Sequence, residues 1–418
     1  MASCVETAIA EASREHWARL YAILISQFKD FELAEDALQE AFVTALSHWS
    51  ANSIPTNRAG WLLQVAKNKA IDTIRKNQNY HEKVSNLGED ETNDQNIESL
   101  ASDLNVEQFP DERLKLIFTC CHPALSEQAQ VALTLRTVGG LTTPQIARAF
   151  LLPDTTLAQR IVRAKRKIKS AKIPFKVPDK KDLQARLHTV LNVIYLIFNE
   201  GYYCSSGDKL LESQLTDEAI YLCKILSVLI DEPEVSGLLA LMLFHDARKN
   251  ARVSQNNEYL GLEEQDRKLW DQEKITFADT LLKNALKQGQ LGIYQIQAAI
   301  SGIHAKAPSF KQTHWQEILL LYQRLYHLKP CAVVKLNSLV ALSYVHGADL
   351  ALHKLMALNH DKKLDNYQPF YATKADFCRR LKKFDEAKGC YEKAIKLSAN
   401  EVERCYLEKR LKQLNIQQ

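Results

Sequence analysis

The sequence predicts an all-α protein. Apolar residues recur at spacings of three and four along nearly the whole chain, and strand-like alternation is weak throughout. Two stretches of distinct composition divide the 418 residues into three helical segments. The segment 1–79 holds three helical patterns. The acidic, Asn-rich stretch 80–110 has almost no periodicity and reads as a linker. The segment 111–172 ends in a basic run, and 173–418 follows two X-Pro pairs, Ile173-Pro174 and Val177-Pro178, as a long helical extension. The expected architecture is two small helical domains, the second containing a helix-turn-helix, and then a large domain of stacked helical hairpins.

Charge is distributed by segment. The net +4 averages eight Lys or Arg and no acid between Arg160 and Lys176 against ten acids and one Lys between Glu82 and Glu112. A polyanion-binding site beside an acidic strap has this pattern. The nine cysteines are scattered, with no CxxC pair, as expected of reduced thiols that fill apolar space. Met1 to Arg14 lacks a basic start before an apolar core, and the apolar stretches near Val190–Phe198 and Gly237–Phe244 are too short to span a bilayer. A cytoplasmic protein without membrane contact is expected.

In the first segment, Asp30–Phe42 reads as a two-faced helix. Ala34, Ala37, Leu38, Ala41, Phe42 and Ala45 point inward, and Glu35, Asp36, Gln39 and Glu40 form an exposed acidic patch. After the polar loop Ser50–Asn57, a second helix runs from Arg58. Its core residues are Trp61, Leu62, Val65, Ala66 and Ile74, with Asn68, Asp72 and Arg75 along a polar edge.

The helix-turn-helix spans about Leu141 to Ala171. Thr142 and Gln145 form a capping box, and Pro144 lies in the first turn, where its missing N–H costs nothing. Ile146, Ala147 and Phe150 give one apolar face, and Leu151-Leu152-Pro153-Asp154 makes the turn. Leu157, Ile161, Ala164 and Ile168 then repeat at four, three and four. Thr155, Thr156, Ala158, Gln159, Val162 and Arg163 occupy the outer face, where Gln and Arg read adenine and guanine. Arg160, Lys165, Arg166, Lys167 and Lys169 suit phosphate. Pro153 stands where a capping Ser or Thr is usual, and Asp154 is the alternative cap.

Beyond these, Cys120-Cys121-His122 invites a metal reading, but no second Cys/His pair lies at finger spacing, so helix packing is the expectation. Asn199-Glu200-Gly201-Tyr202-Tyr203 reads as a helix C-terminus with Gly201 as left-handed cap. His245-Asp246 with Arg248 reads as a buried salt-bridged group rather than an acid/base pair. In Phe370–Asn400, Tyr371, Ala375, Ala387, Tyr391 and Ala394 match the helix pair of a tetratricopeptide repeat, with Asp385 capping its second helix. No phosphate loop, nucleophile elbow or paired metal carboxylates occur, so no enzyme, metal or cofactor is expected.

Ala34-Glu35-Asp36-Ala37-Leu38-Gln39-Glu40-Ala41-Phe42, Trp61-Leu62 followed by Ala66-x-Asn68 and Asp72-x-x-Arg75, and the helix-turn-helix together resemble an RNA polymerase sigma factor of the extracytoplasmic-function type. The resemblance covers 5–172. The remainder, through Tyr195–Tyr202, Leu239–Arg248 and Ile117–Pro123, resembles a branch with a helical, tetratricopeptide-like extension. It implies region 2 in 1–79 and region 4 in 111–172. Glu35, Asp36, Gln39 and Glu40 would dock on the clamp of the largest subunit of core RNA polymerase. Ser50–Asn57 with Arg58, Lys67, Asn68, Asp72 and Arg75 would open the −10 element and hold a flipped base. Thr155, Thr156, Ala158, Gln159, Arg160, Val162, Arg163 and Arg166 would read the −35 element, and the acidic linker would run through the RNA exit region. The extension implies built-in regulation by a protein partner or ligand. The rival readings are a stand-alone helix-turn-helix regulator with a helical sensor, and a scaffold for which DNA is secondary.

Overall fold

A computed structural model describes residues 4–49, 54–82, 112–150, 152–203, 213–254, 258–358 and 364–417. Most of the acidic linker and residues 50–53 of the polar loop lie outside them. Among the described residues the regular structure is helical, with one isolated bridge between Val253 and Tyr259 and no strand. No described helix is long and apolar enough to cross a membrane. The chain divides into two compact units, Met1–Val193 and Ile194–Gln418.

The first unit contains α1 (Cys4–Phe28), α2 (Phe31–His48), α3 (Arg58–Glu82), α4 (Arg113–Cys120), α5 (Glu127–Thr137), α6 (Thr143–Ala149), α7 (Asp154–Ser170) and the start of α8 (Lys180–Tyr202). Lys29, in the left-handed region at φ 56°, permits the two-residue link from α1 to α2. Asp30 then caps α2, its carboxylate accepting from the Glu32 and Leu33 amides at 2.9 and 3.2 Å. The apolar faces of α1, α2 and α3 meet in a core of Leu20, Leu24, Leu38, Leu62 and small alanines. Asn57 starts α3 by accepting from the Gly60 amide at 2.8 Å.

The helix-turn-helix folds as its sequence predicts. The Thr142 amide donates to Gln145 Oε1 at 2.8 Å, and the Gln145 amide returns to Thr142 Oγ1 at 3.4 Å. Leu157, Ile161, Ala164 and Ile168 are buried. The start of α7 differs: Pro153 occupies the cap position without a side-chain bond, and Asp154 lies inside the first turn. There its carboxylate complements the helix dipole rather than closing the helix.

The second unit holds α9 (Ser213–Leu229), α10 (Pro233–Asp246), α11 (Gln272–Lys287), α12 (Ile293–Lys306), α13 (Trp315–Leu328), α14 (Ala332–Val345), α15 (Ala348–Ala357), α16 (Gln368–Arg380), α17 (Phe384–Leu397) and α18 (Glu401–Gln417). Its apolar run Leu238–Phe244 is buried on every side, with α11 and α12 packed against α10. The Glu234 carboxylate caps α12 from α10, accepting from the Tyr294 and Gln295 amides at 3.0 Å each. Tyr371, Ala375, Ala387, Tyr391 and Ala394 are buried together between α16 and α17. Asp385 lies within the first turn of α17, whose cap position is Lys383, because left-handed Lys382 already ends the connection. Gly201 is buried inside α8, which runs on to Tyr202, so it does not terminate the helix.

Gly237 marks the closest approach of α10 to α12. A Cβ there would lie 2.6 Å from Gln295 Cγ and 2.8 Å from its backbone nitrogen. Gly237→Ala is expected to destabilise the second unit by about 1–3 kcal/mol, through overpacking against backbone. Calorimetric melting checks this; an unchanged transition would mean that α10 and α12 are not so closely apposed.

Candidate nucleic-acid interface

The outer face of α7 is formed by Thr155, Thr156, Ala158, Gln159, Val162 and Arg163, all exposed, with Arg160 half-buried and Arg166 exposed. The four buried residues on the opposite side fix this orientation, so the order polar-out, apolar-in follows from the helical period. Arg163 and Gln159 are one turn apart on this face, where a groove-inserted helix presents side chains to base edges. Arg166 also lines a cleft of about 460 Å³ with Lys29, Asp30, Lys169 and Lys172.

Two basic residues of α7 point elsewhere. Lys165 is ion-paired with Glu35, and Lys169 Nζ lies 3.1 Å from Asp30 Oδ2. Phosphate contact was expected of both. The helical period explains the difference, since Lys165 and Lys169 lie one turn apart and share the side of α7 that faces α2.

Glu35 is the centre of that contact. It was expected in the exposed acidic patch but is only 7% exposed. Arg136 of α5 donates to it through Nε at 2.8 Å and through a terminal guanidinium nitrogen, while Lys165 holds the other carboxylate oxygen. The same guanidinium donates to the Leu141 carbonyl at 3.1 Å and lies over the Trp17 ring at 5.8 Å. Burial would raise the Glu35 carboxyl, but Lys165 and Arg136 hold it below the ordinary carboxylate range. Gly140, at φ 70°, carries the chain past Trp17, where a Cβ would meet the ring at 3.3 Å.

Asp36, Gln39 and Glu40 remain exposed on α2. Burial and the neighbouring Glu35 raise the Asp36 carboxyl. On α3, Trp61, Leu62, Val65 and Ala66 are buried, whereas Ile74 is half-buried. Arg58 pairs with Glu11 at 3.1 Å, Gln64 donates to Asn68 Oδ1 at 3.1 Å, and burial lowers the Lys67 ammonium. Asp72 is half-buried and Arg75 exposed farther along the helix. Sequence reasoning missed Arg136, Lys165 and Asp30 as the residues that join α2 to the helix-turn-helix. Their partners lie 101, 130 and 139 residues away, beyond any local pattern.

Cys120 and Cys121 are buried thiols, beside Thr137 Oγ1 at 3.1 Å and Thr134 Oγ1 at 3.5 Å. Burial pushes both up, Cys121 to about 12. In the second unit, Asp246 pairs with Lys249 at 3.0 Å and Lys274 at 2.6 Å, not with His245 or Arg248 as expected.

A small helical domain with an acid-edged α2 is thus joined to a helix-turn-helix whose second helix exposes Gln159 and Arg163, an architecture that fits a transcription initiation factor of the sigma type. Family models for Sigma-70 region 2 and Sigma-70, region 4 match residues 13–80 and 115–168, and a family of unknown function (DUF6596) matches 186–286. An uncharacterised protein of Rhizobium meliloti (strain 1021), R00370, is 39% identical over 397 residues, 94% of this chain and 92% of its own length. The ECF RNA polymerase sigma factor SigM of Bacillus subtilis (strain 168) is 29% identical over 153 residues, covering 36% of this chain and 86% of its own. SigX of the same organism is 26% identical over 136 residues, covering 32% and 69%. No solved structure matches. The chain belongs to the extracytoplasmic-function sigma factors, in a form with a large helical C-terminal region.

The Glu35 contact has a definite pH dependence. Because its folded carboxyl is depressed, its contribution is complete above the ordinary value of 4.5 and is lost as pH falls through the lower folded value. Glu35→Gln leaves Arg136 and Lys165 buried without a counter-charge, which costs about 3–5 kcal/mol for a buried pair. Faster amide exchange in α2 and α7, with α10 unchanged, is the expected result. Unaltered protection of α2 and α7 would show that Glu35 does not hold them together.

Proposed function

We propose that this chain binds core RNA polymerase through the exposed face of α2 and directs it to promoters, with α7 reading the −35 element and α3 the −10 element. The observation that carries this reading is the pairing of an exposed acid-edged face, Asp36, Gln39 and Glu40, with an exposed face of α7 within one compact unit. A stand-alone regulator has no use for the first. Within the −35 surface, Gln159 and Arg163 read base edges, while Thr155, Thr156, Ala158 and Val162 allow close approach and Arg160 and Arg166 take phosphate. At the −10 element, Asn68, Asp72 and Arg75 line one edge of α3, joined by Lys67 and by Arg58 at its start, and Arg58 must leave Glu11 to reach phosphate. The domains run 1–79, 80–110, 111–172 and 173–418 in this reading, and the last regulates or docks a partner.

Promoter geometry then requires the Glu35 contact to open. Elements named −35 and −10 lie about 25 base pairs apart, or about 85 Å at about 3.4 Å per base pair. A unit in which α2 and α7 touch cannot cover that distance. The chain between Glu82 and Glu112 can, because it reaches about 100 Å when extended at about 3.3 Å per residue. Glu35 is therefore a latch between the two domains, and docking falls to Asp36, Gln39 and Glu40. Lys165 becomes available to DNA only after opening, whereas Lys169, paired with Asp30, is already exposed.

Run-off transcription with core polymerase tests the reading; failure on every cognate template would sink it. Asp36→Ala with Gln39→Ala is expected to abolish co-purification with core while helicity is retained. Arg163→Ala should weaken promoter binding by about 1–3 kcal/mol and relax the −35 sequence preference, whereas Arg166→Ala should weaken binding to all sequences and reduce the salt slope by about one. If Arg166→Ala instead relaxes the sequence preference, the assignment of faces on α7 is wrong.

A further inference from the structure

The second unit encloses a cavity of about 560 Å³ between the end of α8 and helices α10, α12, α13 and α14. Its charged lining residues are Arg248 and Lys329, and no Asp or Glu lines it. Three arginines cluster here. Arg248 donates to Tyr202 Oη at 2.8 Å; Arg252 donates to the Tyr202 carbonyl and lies over that ring at 3.7 Å. Arg267 donates to the His304 and Ala307 carbonyls at 2.7 and 2.6 Å and lies over Trp270 at 4.5 Å. Among the described residues no ion pair is seen for the three, and their partners are neutral oxygens, one imidazole nitrogen and aromatic faces. The Asp246 carboxylate, close in sequence, is taken by Lys249 and Lys274.

The histidines beside them add no negative charge and no further positive charge. Arg248 Nη2 lies 3.0 Å from His245 Nδ1, and a guanidinium can only donate, so Nδ1 accepts and the proton sits on Nε2. That Nε2–H faces Ser301 Oγ at 3.3 Å, which leaves the serine hydroxyl hydrogen for an acceptor in the cavity. Burial, with Arg248 and Arg252, holds His245 neutral, and burial, with Arg248 and Arg267, lowers His304 to about 4. His304 Nδ1 is buried without a hydrogen-bond partner. Arg252 is buried and the cavity-lining Arg248 half-buried, and a cation withdrawn from water is costly unless a counter-charge meets it. The tyrosines 195, 294 and 322 supply flat apolar walls, and exposed Lys329 stands at the rim.

We propose that this cavity binds a small organic anion, a carboxylate or phosphate ester on a planar or apolar body. Arg248 and Ser301 hold its charged group, and Lys329 draws it in. The binding stands on residues of the second unit alone; only its consequence for transcription rests on the sigma-factor reading.

Calorimetric titration of the full chain tests this without polymerase. The probes are benzoate and phenyl phosphate, with benzamide as neutral and benzamidine as cationic control. At least one anion should bind once per chain with Kd below about 1 mM and perturb tryptophan emission through Trp270, while both controls fail. The stronger of the two anions identifies the charged group. Arg248→Gln should weaken binding by about tenfold or more, the effect of losing a charged hydrogen bond. Because Arg248 also holds Tyr202 and His245, Lys329→Gln at the rim provides a variant that folds regardless. It should weaken binding severalfold and flatten its salt dependence. No binding by either anion up to 10 mM (about tenfold above the expected limit), equal binding of a control, or full affinity in both variants would overturn the proposal.

Discussion

Glu35 has to be buried, charged and paired for the first unit to exist as one body. A lone carboxylate at that depth would protonate or force the helices apart. Arg136 and Lys165 prevent this together, each from a different helix of the C-terminal part of the unit. Arg136 is itself fixed by the Leu141 carbonyl and the Trp17 ring, which hold its guanidinium beside Glu35. Removing two cations from water is expensive, and well-formed buried pairs of this kind specify an arrangement more than they stabilise it. What they specify here is which side of α7 is hidden. With Lys165 and Lys169 turned to α2, the opposite side, with Gln159 and Arg163, is the one that meets solvent.

The two units treat charge in opposite ways. In the first, the buried carboxylate is matched twice over. In the second, Asp246 is matched by Lys249 and Lys274, yet Arg248, Arg252 and Arg267 rest on carbonyls and rings. Backbone carbonyls and aromatic faces relieve part of a guanidinium's desolvation but leave its net charge in place. Cationic charge without a carboxylate partner thus lies within the second unit, whereas the buried charge of the first is neutralised.

Local order was readable from the sequence because it depends on residues three or four apart. The inward faces of α2, α3 and α7, the Thr142–Gln145 box and the buried pair of Tyr371 and Tyr391 all follow from helical period and capping chemistry. Helix starts were harder. Asp154 and Asp385 have the right chemistry for caps, but the preceding residues already take extended or left-handed backbone and begin the helix one position or more earlier. Gly201 could have ended α8, yet a glycine within a packed helix carries the same letter. The partners of Glu35, and Lys274 as a partner of Asp246, were not readable at all. Glu35 has the same spacing from Asp36, Gln39 and Glu40 whether it faces solvent or Arg136, and only the packing of α2 on α5 and α7 decides it.

The adjacent thiols of Cys120 and Cys121 carry a consequence for how this factor meets stress. Peroxides and disulfides attack thiolates, and burial keeps both of these sulfurs protonated and out of reach. Their position in α4, against threonines of α5, makes them ballast in the wall of the DNA-binding domain. Burial therefore shields this wall from thiol oxidants.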